Sequence, residues 1–153
     1  MKWIGFVTVP LLMVAFGVAT YVATRPPERQ LDAQGRTWVS RFEQWAEVRL
    51  RVLDDAIVRM EFGALARNAR LVEPLRTCSS SFTRFGEPPE LLEDVRQIAL
   101  EGCGRAEHAV RLNDRFDTAS LASIKLHLNA AERRLLLAGR TLRIALGEEA
   151  PPP

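Results

Sequence analysis

Hydrophobic residues recur along most of this chain at spacings of three and four, the period of one buried face on an α-helix, and no stretch alternates apolar and polar as a strand would. The start of the chain is different. From Trp3 to Thr24 no charged residue interrupts an apolar run, which as a helix would reach about 33 Å, close to the hydrocarbon thickness of a bilayer. Trp3 and Tyr21 stand near its two ends, where amphipathic rings favour the headgroup region. Pro10 would cost a soluble helix about 3 kcal/mol but is tolerated in a membrane span. Arg25-Pro26-Pro27-Glu28-Arg29 then ends the run. The expectation is a transmembrane anchor over 1–24 and a Pro-rich neck over 25–34. The rival reading is a cleaved signal peptide, with Lys2 as its positive end and Gly17-Val18-Ala19 as its cleavage site. The apolar run continues past Ala19 through Tyr21, Val22 and Ala23, which favours an uncleaved anchor. No cysteine follows closely, so a lipoprotein anchor is not expected.

Three helical stripes follow. The first covers 37–72, where Trp38, Phe42, Trp45, Val52, Ala56, Met60, Ala64 and Leu71 share one face. Ser40 and Glu43 fit a capping box near its start. Gly63 either ends this helix or weakens it, and Pro74 disfavours helix at Glu73, so the segment is expected to stop there. A Ser-rich linker over 77–89 carries Cys78, Phe82 and Phe85 and ends in Gly-Glu-Pro-Pro. Pro89 suits the first position of the second helix. Its stripe is Leu92, Val95, Ala99, Cys103, Ala106 and Val110, with Gly102 and Gly104 either breaking it or admitting a close neighbour.

The third stripe is the sharpest. After a cap at Asp117-Thr118, residues Leu121, Ile124, Leu128, Ala131, Leu135, Ala138, Leu142 and Ala145 step alternately by three and four, which is a heptad seam. Leu126, Leu136, Leu137 and Ile144 lie off that seam and make a candidate interaction surface. A helix with two apolar faces is either central in its bundle or meets another protein. Gly147 is a natural helix stop, and the tail over 148–153 cannot fold on its own. The expected fold class is all-α: a single N-terminal transmembrane helix followed by an antiparallel three- to four-helix bundle over 35–147.

Charge removes one class of function. From residue 30 onward 17 Arg and 1 Lys balance 18 Asp and Glu, and a neutral surface argues against nucleic-acid binding. Arginine outnumbers lysine 19 to 2, which reads as GC-rich codon usage before it reads as selection for bidentate contacts.

Candidate chemistry is sparse. Cys78 and Cys103 are the only cysteines. A disulfide between them would add roughly 3.5 kcal/mol in the chain-entropy account and would favour an oxidising, extracytoplasmic space. The other readings are two buried reduced thiols, a redox dithiol, or a metal site with His108 and His127, and no pair has zinc-ligand spacing. Each of the two histidines reads alone as an edge residue. There is no phosphate loop, nucleophile elbow or dinucleotide fingerprint, so no cofactor and no enzymatic activity are expected. Trp38, Phe42 and Trp45 read first as core. Their alternative is a membrane-proximal aromatic surface touching lipid or a partner span.

The expected protein is a membrane-anchored, extracytoplasmic interaction or scaffolding protein of the cell envelope. It contacts lipid through 3–24 and binds a protein partner or another copy of itself. The alternatives are a sensor-like ligand-binding bundle acting through a partner, and a redox or metal-binding protein using Cys78 and Cys103.

Overall fold

The computed structural model describes residues 31–60, 68–115 and 120–148, and these are helices joined by turns, with no strand among them. The expected span over 3–24, Gly63, Ala64, the Asp117-Thr118 cap and residues 149–153 lie outside the described residues. Among the described helices none is long and apolar enough to cross a membrane.

Helix α1 runs Ala33–Met60. It begins about two turns earlier than a cap at Ser40 would place it, because Asp32 caps it: the Gly35 amide donates to Asp32 Oδ1 at 2.6 Å and the Arg36 amide to the Asp32 carbonyl at 3.0 Å. Its buried face is Trp38, Phe42, Trp45, Ala46, Leu53 and Ala56. Leu53, fully buried, takes the place expected for Val52, which sits half-buried at the edge. Between Trp45 and Leu53 the stripe passes through Arg49, a charged residue on a buried face, and that interruption hid the true register.

The stripe over 37–72 is shared by two helices, one of the two outcomes the sequence leaves open. Asn68 has extended backbone and its side chain accepts from the Arg70 amide, starting helix α2, Ala69–Arg76. This helix continues through Pro74, contrary to the stop expected at Glu73. A proline inside a helix costs about 3 kcal/mol. Leu71, Val72 and Leu75 are buried, each worth roughly 1.5–3 kcal/mol, and together they outweigh that cost.

The expected linker also contains a helix, α3, Cys78–Thr83. Three things hold so short an element. Cys78 and Cys103 form a disulfide with Cα atoms 5.2 Å apart. Phe82 is buried. The Ser79 amide donates to Glu107 Oε1 at 2.9 Å, which satisfies an open N–H of its first turn. A 3-10 turn, Glu90–Leu92, leads into helix α4, Glu93–Asp114, with Pro89 just before the turn rather than inside the helix. The helix does not break at Gly102 or Gly104. Gly102 is buried, and a Cβ there would meet Leu135 Cδ2 at 3.1 Å, Arg134 Cβ at 3.2 Å and the Ala131 carbonyl oxygen at 3.3 Å. It is a contact point between helices.

Helix α5, Ser120–Leu146, buries the heptad seam: Ile124, Leu128, Ala131, Leu135, Ala138 and Leu142 are at most 2% exposed, and Leu121 and Ala145 are half-buried at its ends. Gly147 ends it with φ +77°, while the Glu148 amide donates to the Arg143 carbonyl and the Gly147 amide to that of Ile144. Helix α5 packs most extensively on α4 and also on α1, while α2 and α3 bridge α1 and α4 on another side. The result is a helical bundle whose fourth side is made of two short helices.

Candidate functional site

One core feature must first be set aside. Trp38, Phe42 and Trp45 are 3%, 1% and 7% exposed. Their rings cluster with Phe82 and Phe85, the closest pair being Trp45 and Phe82 at 4.8 Å. They fill the space between α1 and α3 and offer no face to lipid, so the surface reading of these three aromatics gives way to the core reading. Ser81 closes the cluster: it accepts from Trp45 Nε1 at 3.0 Å and from Arg49 at 2.9 Å, and donates to the Cys78 carbonyl. The Arg49 guanidinium lies 5.6 Å from the Trp45 ring, and burial lowers its pKa.

Cys78 and Cys103, expected as a pair, are together and fully buried. Neither sulfur reaches solvent, so the bridge fastens α3 to α4. Among the described residues no three His, Cys, Asp or Glu side chains gather as metal ligands would.

The residues expected to form an interaction surface lie along α5. Leu126 is 67% exposed, Leu136 54% and Leu137 42%, while Ile144 is half-buried. Leu126 and Leu137 are eleven residues apart, three turns, and therefore share a face. They line an open cleft of about 500 Å³ with Asn129, Ala130, Arg133 and Arg134. Leu136 is about 100° further round the helix and does not line that cleft. Asn129 turns back to donate to the Lys125 carbonyl at 2.8 Å, so the cleft floor is Ala130.

A second cleft, of about 420 Å³, runs along the junction of α4 and α5. It is lined by Glu101, Gly104, Arg105, His108, Arg111, His127 and Arg134. Arg134 borders both clefts. The geometry follows from the antiparallel pairing of the two helices. Arg134 Nε lies 3.4 Å from Glu101 Oε2; seven residues along α4 is His108, and seven residues back along α5 is His127. The two imidazoles meet with ring centroids 4.4 Å apart, edge to face. His127 Nδ1 is buried and has no hydrogen-bond partner among the described residues. Burial, then the nearby charges of His108 and Arg105, hold the His127 pKa below the ordinary histidine value. Gly104 leaves the cleft floor open, since a Cβ there would meet nothing within 4 Å.

The sequence brings His108 and His127 together only in a metal site with the cysteines and otherwise reads each as an edge residue, whereas the structure pairs the two imidazoles and bonds the cysteines to each other. The signal was present: Glu101 and His108 share a heptad spacing, as do His127 and Arg134, and an antiparallel hairpin of these helices aligns the two pairs. Seen this way, the site is a basic, solvent-open edge where α4 meets α5, continuous through Arg134 with an apolar groove on α5. Compared with known protein families, curated proteins and solved structures, the chain matches none.

Proposed function

We propose that this protein is a single-pass membrane-anchored scaffolding protein of the cell envelope, held by residues 3–24, whose extracytoplasmic helical bundle docks a partner on the outer face of α5. The single observation that carries this reading is the exposure of Leu126, Leu136 and Leu137 on a helix that buries its seam from Ile124 to Leu142. Leaving such large apolar side chains in water forgoes roughly 1.5–3 kcal/mol each, which a partner would recover. The uncharged run over 3–24 supports the anchor, and the buried disulfide supports an oxidising space.

Charge favours a different partner over a second copy. Beside Leu126 and Leu137 stand Arg133 and Arg134, the second also reaching Glu101 of α4. Two such faces packed together would oppose like charges, whereas a helix bearing apolar and acidic residues would complement the groove. The alternative reading, a ligand-binding bundle that signals through a partner, draws support from the histidine cleft. The redox reading has little, because both cysteines are bonded and buried.

The test uses the full chain in its native membrane. Leu126→Glu with Leu137→Glu is expected to abolish crosslinks from α5 and leave the melting temperature within a few degrees. A bundle that sediments identically with and without these changes, and crosslinks to nothing, would refute the reading.

A further inference from the structure

We propose that the cleft between α4 and α5 binds a phosphate-type oxyanion, with Arg105, Arg111 and Arg134 as fixed positive charges and the His108–His127 pair as donors recruited by acid. The idea is independent of whether α5 also docks a partner.

The charge of the cleft is one-sided. Three guanidiniums face one carboxylate, so with both imidazoles neutral the formal sum is 3 − 1 = +2, and with both protonated it is +4. Two lone imidazoles could hold a transition metal, yet here three arginines would repel a cation. An anion reverses every sign. It is attracted by each arginine, and the donors come from both helices, which suits a group with several oxygens. The His127 side chain supplies the second observation: its Nδ1 is withdrawn from water without a hydrogen-bond partner among the described residues, at a residue that lines the cleft.

Protonation is linked to occupancy. His108 and Arg105 from α4 act on His127; Glu101 and Arg111 from α4 and Arg134 from its own helix complete the charged lining, to which α1 contributes nothing. A bound anion offsets the surrounding positive charge and makes a second proton on the imidazole pair tolerable. Binding then takes up protons and strengthens as pH falls through the histidine range. The same oxyanion chemistry is offered by a free anion and by a phosphomonoester lipid headgroup.

The experiment places the full chain in zwitterionic nanodiscs with its imidazoles labelled with nitrogen-15. Sulfate is titrated at about pH 5.5 and about pH 7.5. Sulfate keeps its charge across this range, so any change in affinity belongs to the protein. The expected result is saturable shifts of both imidazoles, roughly tenfold tighter at the lower pH. Arg105→Gln with Arg111→Gln, both exposed, should lose the shifts. His108→Gln with His127→Gln should keep weak sulfate protection against heat while losing its pH dependence. Nanodiscs doped with phosphatidic acid form the second arm: shifts there without shifts from free sulfate assign the oxyanion to a headgroup and still support the site. Absence of response in both arms would overturn the proposal. So would shifts produced by zinc alone in preference to sulfate, or a response that survives loss of both arginines.

Discussion

Single residues decide how closely the helices meet. Gly102 and Gly104 are two positions apart on α4 and have opposite surroundings. At Gly102 an added side chain would press on Leu135, Arg134 and the Ala131 carbonyl, so Gly102→Val is expected to lower stability by about 1–3 kcal/mol. At Gly104 nothing lies within 4 Å, so Gly104→Ala should raise stability by about 0.5–1 kcal/mol through helix propensity. Thermal unfolding of the two variants reads both signs. Ser81→Ala removes the acceptor for Trp45 Nε1 and for the half-buried Arg49, and a loss of about 1–3 kcal/mol is expected in denaturant titration. His127 adds a pH effect. Its folded pKa is lowered, so the unfolded chain binds the extra proton first. In a buffer without oxyanions, stability is therefore full above about pH 6.5, declines on acidification, and levels off below the lowered folded pKa. His127→Gln should flatten that slope.

Elements differ in how much of themselves they carry in their own residues. The seam of α5 was legible because a heptad pattern repeats from Leu121 to Ala145 without interruption. The face of α1 was legible at Trp38, Phe42, Trp45 and Ala56 and slipped by one residue at Val52, because Arg49 stands where the next apolar residue was sought. Helix α2 was legible only as the end of the first stripe, through Leu71 and Val72, and α3 was read as linker. Elements this short are marginal alone, and what orders them is distant in sequence: a disulfide to Cys103, a carboxylate from Glu107, and burial of Leu75 and Phe82. Replacing both cysteines with serine is expected to cost about 3–4 kcal/mol, with the loss concentrated in α2 and α3. Hydrogen exchange would show those amides opening first while α4 and α5 stay protected. The histidine cleft was unread for a related reason. Each histidine belongs to a different helix, and only the alignment of α4 against α5 makes them one feature.

At the scale of the whole molecule, a balanced charge hides an uneven one. The part from residue 30 onward is neutral, yet α5 is basic, and its outer face combines that charge with exposed leucines. A surface both apolar and cationic is suited to acidic, amphipathic partners and poorly suited to self-pairing. The most direct measurement is site-specific photocrosslinking of the full chain in its native membrane, with the crosslinker at Leu126, at Leu137 and at Val58, an exposed control on α1. The account predicts one discrete crosslinked species from Leu126 and Leu137, none from Val58, and retention of all of it in the membrane fraction after an alkaline wash. Release of the protein by that wash, or equal labelling from all three positions, would contradict it.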